Sequence, residues 1–240
     1  MAKGTAGTGE GVRRRDAAAT RDALLAAGTE LFAGRGYDGV PVAAIAARAG
    51  VNKAMINYHF GGKRGLYLAI VTTTFSAIAA GAERLAESDG PAPALLRDLV
   101  SLLAEAAAGR NPHFPAMMLR EAVSGGKHLE PEIIAYPLRV AEVVRRIVER
   151  GVREGAFRSV DPLLTHLSLV GSLLFFFATA PLRARMFAER HLPGRPPDAE
   201  AYVKHIQDLI LRGLAAPEGG RPAPGRGRPA PARGGARSRA

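Results

Sequence analysis

The 240-residue chain contains no cysteine. That absence excludes a disulfide framework, a thiolate metal site and a cysteine nucleophile, and it makes a reducing cytoplasm the natural setting. Sustained strand alternation is missing as well, so no sheet is expected. Met1 to Arg15 carry basic residues but no apolar run, and so do not read as a secretory signal. No phosphate-cradling glycine loop, nucleophile elbow or paired-carboxylate motif occurs. His113, His128, His166, His191 and His205 show no metal-ligand spacing of the HExxH kind. No enzyme activity, cofactor or metal is therefore expected.

What is present is apolar and basic. Hydrophobic residues make up 47% of the chain, enough for a sizeable core. The net charge is +11, but residues 217–240 carry +5 of it and residues 1–15 carry +3, which leaves +3 for everything between. Charge concentrated in the tails is weak evidence for a nucleic-acid partner. Neither tail has periodic apolar residues, so residues 1–15 are expected to be a disordered basic arm and 217–240 a disordered Pro/Gly/Arg-rich tail.

Between the tails, helical periodicity is almost continuous, and the expected fold is all-α. A first helix runs from about Ala17 to Arg35, with Leu24, Ala27, Gly28, Leu31 and Phe32 on one stripe. Glycine-rich punctuation at 34–39 stops it. Pro41 suits the first turn of a short second helix ending at Gly50, and Asn52 caps a short third helix through Phe60. Gly61-Gly62 breaks that one, and a long fourth helix follows from Lys63 to about Glu87. Later helices are expected around Leu95–Ala106, Ala116–Val123, 132–154 (kinked or split at Pro137), 162–180 and 198–214. Pro181 ends or bends the penultimate one. In the last, Val203, Ile206, Leu209, Ile210, Gly213 and Leu214 are expected to face inward.

Two short helices joined by a glycine-containing turn are a helix-turn-helix signature. In PVAAIAARAG-VN-KAMINYHF the alanines permit close approach, and Ile45, Val51, Ile56 and Phe60 can fill a small core. That leaves Lys53, Ala54, Met55, Asn57 and Tyr58 pointing outward. In this motif the N-terminal residues of the second helix meet base edges in the major groove. Asn pairs with adenine, Lys reaches guanine or phosphate, and Ala or Met touches a thymine methyl. Any three short amphipathic helices share this periodicity, so pattern alone does not single out DNA binding.

The stretch from Thr20 to Val71 resembles the N-terminal domain of the TetR family of transcriptional regulators. The matching features are Leu31-Phe32, Gly36-Tyr37, Ile45-Ala46, Ala49-Gly50-Val51, the block Tyr58-His59-Phe60-Gly61-Gly62-Lys63, and Leu66. The resemblance implies a DNA-binding domain over 16–66, with helix four continuing to about 87, and a helical ligand-binding and dimerisation domain over 67–216. It implies that Asn52, Lys53, Ala54, Met55 and Asn57 read sequence, and that Tyr58 and His59 contact or support the backbone. Direct contact by His59 and bracing by a packed His59 stand equal. Lys63 would meet phosphate, and Arg64, where a Glu is common, would add positive charge beside the duplex. Three departures stand out. Val40, Pro41 and Val42 replace the usual capping hydroxyl, Gly28 stands for the usual alanine, and Arg64 has changed sign.

By the same resemblance the protein is a homodimer on a palindromic operator, joined through the helices at about 162–180 and 198–214 and released by a small, largely apolar effector. Expected pocket residues are Phe114, Met117, Met118, Tyr136, Leu138, Leu169 and Phe175, with His113, Arg120 and His166 as the polar minority. Rival readings are an activator in the same family, or a membrane-associated or scaffold protein, resting on the apolar stretch 163–180 and the basic tail. Thr165, His166, Ser168 and Ser172 interrupt that stretch, and a buried helix explains it better. An enzyme built on Glu121 near Arg120 and His113 is explained equally well by a surface ion pair.

Overall fold

A computed structural model describes residues 7–109 and 111–217, with side chains from Asp16 onward. The stretch 218–240, read as disordered tail, lies outside the described residues, as do residues 1–6. Among the described residues there are ten helices: α1 (Gly7–Arg35), α2 (Val42–Ala49), α3 (Ala54–Phe60), α4 (Lys63–Ala86), α5 (Ala92–Ala108), α6 (Phe114–Val123), α7 (Pro131–Arg153), α8 (Pro162–Ala178), α9 (Ala180–Ala188) and α10 (Ala199–Leu214). The expected all-α architecture holds.

Three element boundaries differ from expectation. Helix α1 begins at Gly7, so residues 7–15 of the supposed disordered arm are helical. No proline interrupts Val12 to Ala19, and arginine and alanine there are strong helix formers. Pro137 neither splits nor ends α7, which runs unbroken through it. The proline removes one hydrogen bond near the start of the helix. Beyond it, Val140, Val143, Val144, Ile147 and Val148 are all buried and hold the rest in place. Helix α8 ends at Ala178 and the chain bends by 55°, as expected near Pro181, but the residues beyond form a further helix, α9, with Pro181 in its first turn.

Two cores organise the molecule. The first joins Leu24, Phe32, Val40, Ile45 and Ile56 of the N-terminal helices and their connecting turn to Leu66, Tyr67, Ile70 and Val71 of α4, and to Phe114, Met117 and Met118 of α6. The second joins Ala79 and Ala82 of α4 to Leu96 and Leu99 of α5, the valines of α7, Leu169 and Leu173 of α8, and Ile206 of α10. Helix α4 contributes to both, and its long apolar character is accounted for by that double burial. The leucine-rich α8 likewise buries His166, Leu169, Leu173 and Phe176 on one face, and its chain bends at its end. The apolar run 163–180 therefore has one face buried and the other exposed.

Close contacts set the geometry of the head. At Gly65 a Cβ would stand 1.7 Å from the Phe60 carbonyl oxygen, so α3 and the start of α4 pack backbone against backbone. At Gly28 a Cβ would lie 3.0 Å from Ile70 Cδ1 and 3.2 Å from Leu66 Cδ2, which rationalises glycine where alanine is usual.

Candidate nucleic-acid interface and ligand cavity

Helix α3 is set by a short local device. The Asn52 side chain accepts a hydrogen bond from the Ala54 amide at 2.9 Å, opening the helix at the expected residue. Ile56 is fully buried and pins the helix from below. Asn52, Lys53, Ala54, Asn57 and Tyr58 are exposed together on the opposite side, Tyr58 to 77%. Met55 departs from this set. It is half-buried and packs on the head core, because its position lies beside the Ile56 stripe.

His59 is half-buried, stands edge-on to Tyr58 at 4.9 Å, and has a buried Nε2 with no hydrogen-bond partner. An imidazole turned inward in this way supports bracing over direct contact. Lys63 places its Nζ 4.4 Å from the centre of the Tyr37 ring, at the α1–α2 turn. Arg64 is exposed at the start of α4 and is paired. It bonds Glu130 at 2.9 Å and so ties the head to the start of α7. Arg21, which sequence reasoning did not single out, lies over the Phe60 ring at 5.2 Å on the same end of the molecule.

Under the head lies a buried polar joint that sequence reasoning missed. The Glu121 carboxylate on α6 is 4% exposed. It accepts from the Tyr67 hydroxyl at 2.6 Å and from the His128 amide at 2.8 Å, and it lies 2.9 Å from His128 Nδ1. Burial pushes the Glu121 carboxyl up, but the hydrogen bonds from Tyr67 and His128 outweigh it and hold the group below the usual carboxylate range. Burial and then the neighbouring carboxylate push the Tyr67 hydroxyl up, so it stays a donor. The joint reaches the α1–α2 turn. Tyr37 packs on His128 at 4.5 Å, and Asp38 pairs with Lys127 at 2.7 Å. The reading of Glu121 as a surface ion pair with Arg120 and His113 is therefore corrected, since its partners are Tyr67 and His128.

Arg120 has a different task from the one expected. Its guanidinium donates to the carbonyls of Ala33 at 2.6 Å and Gly34 at 2.9 Å, satisfying the last carbonyls of α1. It does not line the cavity among α4, α5, α6, α7 and α8.

A cavity of about 170 Å³ lies among α4, α5, α6, α7 and α8. Phe114, Met118, Tyr136 and His166 line it, as expected. Four other candidates do not. His113 is exposed, Met117 is buried in the head core, Arg120 caps α1, and Phe175 is 63% exposed on the outer face of α8. Leu138 is exposed and Leu169 is buried in the second core, so neither reaches the cavity. A helix presents only one face inward, and pairs such as Met117 and Met118 are turned apart by about 100°. Phe75 and Ile78 of α4 line the cavity instead, with Phe75 edge-on to Phe114 at 5.5 Å. His166 is 9% exposed, and its Nδ1 has no hydrogen-bond partner.

The outer face of α8 exposes Leu163, Leu164, Leu167 and Phe175, each more than half accessible, and α10 adds Leu209. Leu209 and Gly213 thus face outward, contrary to expectation, because the buried stripe of α10 is limited to Ile206 and Leu214.

Residues 24–70 match the family model described as bacterial regulatory proteins, tetR family. Residues 93–215 match the model of the tetracyclin repressor-like C-terminal domain. The chain is 28% identical over 207 residues to the HTH-type transcriptional repressor NicS of Pseudomonas putida, covering 85% of this chain and 96% of that protein. Among solved structures it is similar to the TetR family transcriptional regulator PfmR from Thermus thermophilus, at 31% identity and a TM-score of 0.62, over 80% of this chain and 95% of that one. A regulatory protein of the tetR family from Rhodococcus superposes with a TM-score of 0.65 at 22% identity, over 82% and 98% of the two chains.

Proposed function

The chain belongs to the TetR family of bacterial regulators, which are DNA-binding transcriptional regulators and not enzymes, and from that premise we propose that it is a cytoplasmic homodimeric repressor released from a palindromic operator by a small apolar effector. The observation that carries the proposal is the exposed row Asn52, Lys53, Ala54, Asn57 and Tyr58, held rigidly over buried Ile56 on a helix packed against α4. Such a row fits the major groove, with Asn57 the best adenine reader and Lys53 a guanine or phosphate contact. Met55 is a supporting core residue in this reading. Lys63 meets phosphate from its seat on Tyr37, while Arg64 serves the Glu130 tie.

The exposed apolar face of α8 with Leu209 of α10 supports dimerisation, since a twofold pairing of those helices would cover it. Two recognition helices then meet half-sites about one helical turn apart or somewhat more. Coupling follows from shared elements. Phe75 and Ile78 on α4, and Phe114 and Met118 on α6, line the cavity. Helix α4 begins at Lys63, and α6 carries the Glu121 joint that grips Tyr67 and, through His128, the α1–α2 turn. An effector that shifts either helix tilts the head and changes the spacing of the two recognition helices.

Selection of genomic fragments with the purified chain tests the reading, followed by titration of the recovered operator. Asn57→Ala should weaken operator binding by about 1–3 kcal/mol and leave random duplex nearly unchanged. Lys63→Ala should weaken both alike and lower the salt slope by about one unit. Equal losses for Asn57→Ala on both duplexes would remove it as a base reader.

A further inference from the structure

The walls of the cavity among α4 to α8 carry no charged side chain among the described residues. Their polar groups are the His166 imidazole and the Tyr136 hydroxyl. Among the described residues, an isolated carboxylate or ammonium brought into such a site finds no counter-charge on the cavity lining to offset its desolvation. His166 does not supply one, because burial pushes its pKa down and the ring stays neutral at pH 7. Size gives a second guide. An apolar cavity of about 150 Å³ accommodates a benzene ring, and this one measures about 170 Å³. Aromatic edges from Phe75 and Phe114 and the polarizable thioether of Met118 favour a flat ring.

The imidazole adds a specific demand. A neutral ring has one donor and one acceptor nitrogen, and Nδ1 of this buried histidine is without a partner. A hydroxyl complements either tautomer because it both donates and accepts. We propose that the cavity selects an uncharged single-ring aromatic molecule bearing one hydroxyl, with the ring beside Phe75, Phe114 and Met118 and the hydroxyl on the His166 imidazole. This assignment rests on the reading of the cavity as the effector site. It excludes aromatic carboxylates.

Calorimetric titration of the full chain at pH 7.5 with p-cresol, toluene and benzoate tests the assignment. p-Cresol should bind at least about fivefold more tightly than toluene, the ratio expected of one added hydrogen bond. Benzoate should give no binding at the same concentrations. His166→Leu should bring the cresol-to-toluene ratio close to one while toluene affinity is retained. Val170→Phe, which fills the cavity from α8, should abolish both, with thermal melting used to check that it folds. Benzoate binding as tightly as p-cresol, no p-cresol binding at millimolar concentration, or an unchanged ratio in folded His166→Leu would each overturn the assignment. Operator affinity read by fluorescence anisotropy separates the two claims. Cresol that binds through His166 without altering operator affinity leaves the ligand class standing and removes the effector reading.

Discussion

Two buried polar sites lie within the same helical body and behave oppositely. At the joint below the head, Glu121 is surrounded by donors, and both of its oxygens are engaged by Tyr67 and His128. At the cavity, His166 sits among phenylalanine, leucine, valine and methionine, and its Nδ1 has no partner. A satisfied buried network rigidifies what it joins, whereas an unsatisfied group carries a desolvation cost that a ligand can relieve. Under the proposed function, the joint would serve transmission and the cavity reception. Helix α6 connects them, since Met118 faces the cavity and Glu121, one turn on, faces the joint.

Truncation should break the contrast most visibly. Glu121→Ala strands the Tyr67 hydroxyl and two His128 donors, and should destabilise the chain by about 2–4 kcal/mol in urea unfolding. His166→Leu replaces an unpartnered polar group with an apolar one of similar size, and should be neutral or stabilising by up to about 1 kcal/mol. Losses of equal size in both variants would erase the distinction.

Acid unfolding sharpens it further. Glu121 has a folded pKa below its ordinary 4.5, so its stabilisation is present above that value and is lost as pH falls through the lower folded pKa. His166 has a folded pKa below its ordinary 6.5. Below that pH the unfolded chain takes up a proton that the folded chain resists, so stability falls as pH drops from about 7 toward the folded pKa. Melting temperature followed from pH 7.5 to 3.5 should therefore lose its upper step in His166→Leu and its lower step in Glu121→Gln. An upper step surviving in His166→Leu would place that titration elsewhere.

The smallest effect concerns the exposed tie. Arg64→Ala removes an accessible ion pair with Glu130, worth about 0–1 kcal/mol, and should hardly change melting. It should nevertheless leave non-specific DNA affinity nearly unchanged if Arg64 serves Glu130 instead of phosphate. A fall in salt slope of about one unit, as for Lys63→Ala, would return Arg64 to the DNA face.

Much of the head was legible because its signals are local. Gly50 and Gly61-Gly62, all at positive φ, end α2 and α3 where the glycines stand, and Asn52 opens α3 through its own side chain. In the expected stripe, Leu24, Ala27, Gly28 and Phe32 are buried and Leu31 half-buried, as their spacing implies. The joint was not legible. Tyr67 and Glu121 are 54 residues apart, and Arg64 and Glu130 are 66 apart, so no window along the chain contains both partners. In the pocket, composition named the right region but could not orient neighbouring side chains. Phe114, Met118, Tyr136 and His166 point inward, while His113 and Phe175 point out.

The sequence by itself determined that this chain is helical, that two short helices lie between Pro41 and Phe60, and that a long fourth helix follows them. Periodicity, glycine stops and caps act over a few residues and need no distant partner. Only the tertiary structure decided that Arg120 caps α1, that Glu121 is a buried hub, and that α4 and α6 share the cavity wall with His166. Those assignments depend on which faces of separate helices meet. Packing of whole helices settles that question, because burial of one stripe turns every other side chain on the helix with it.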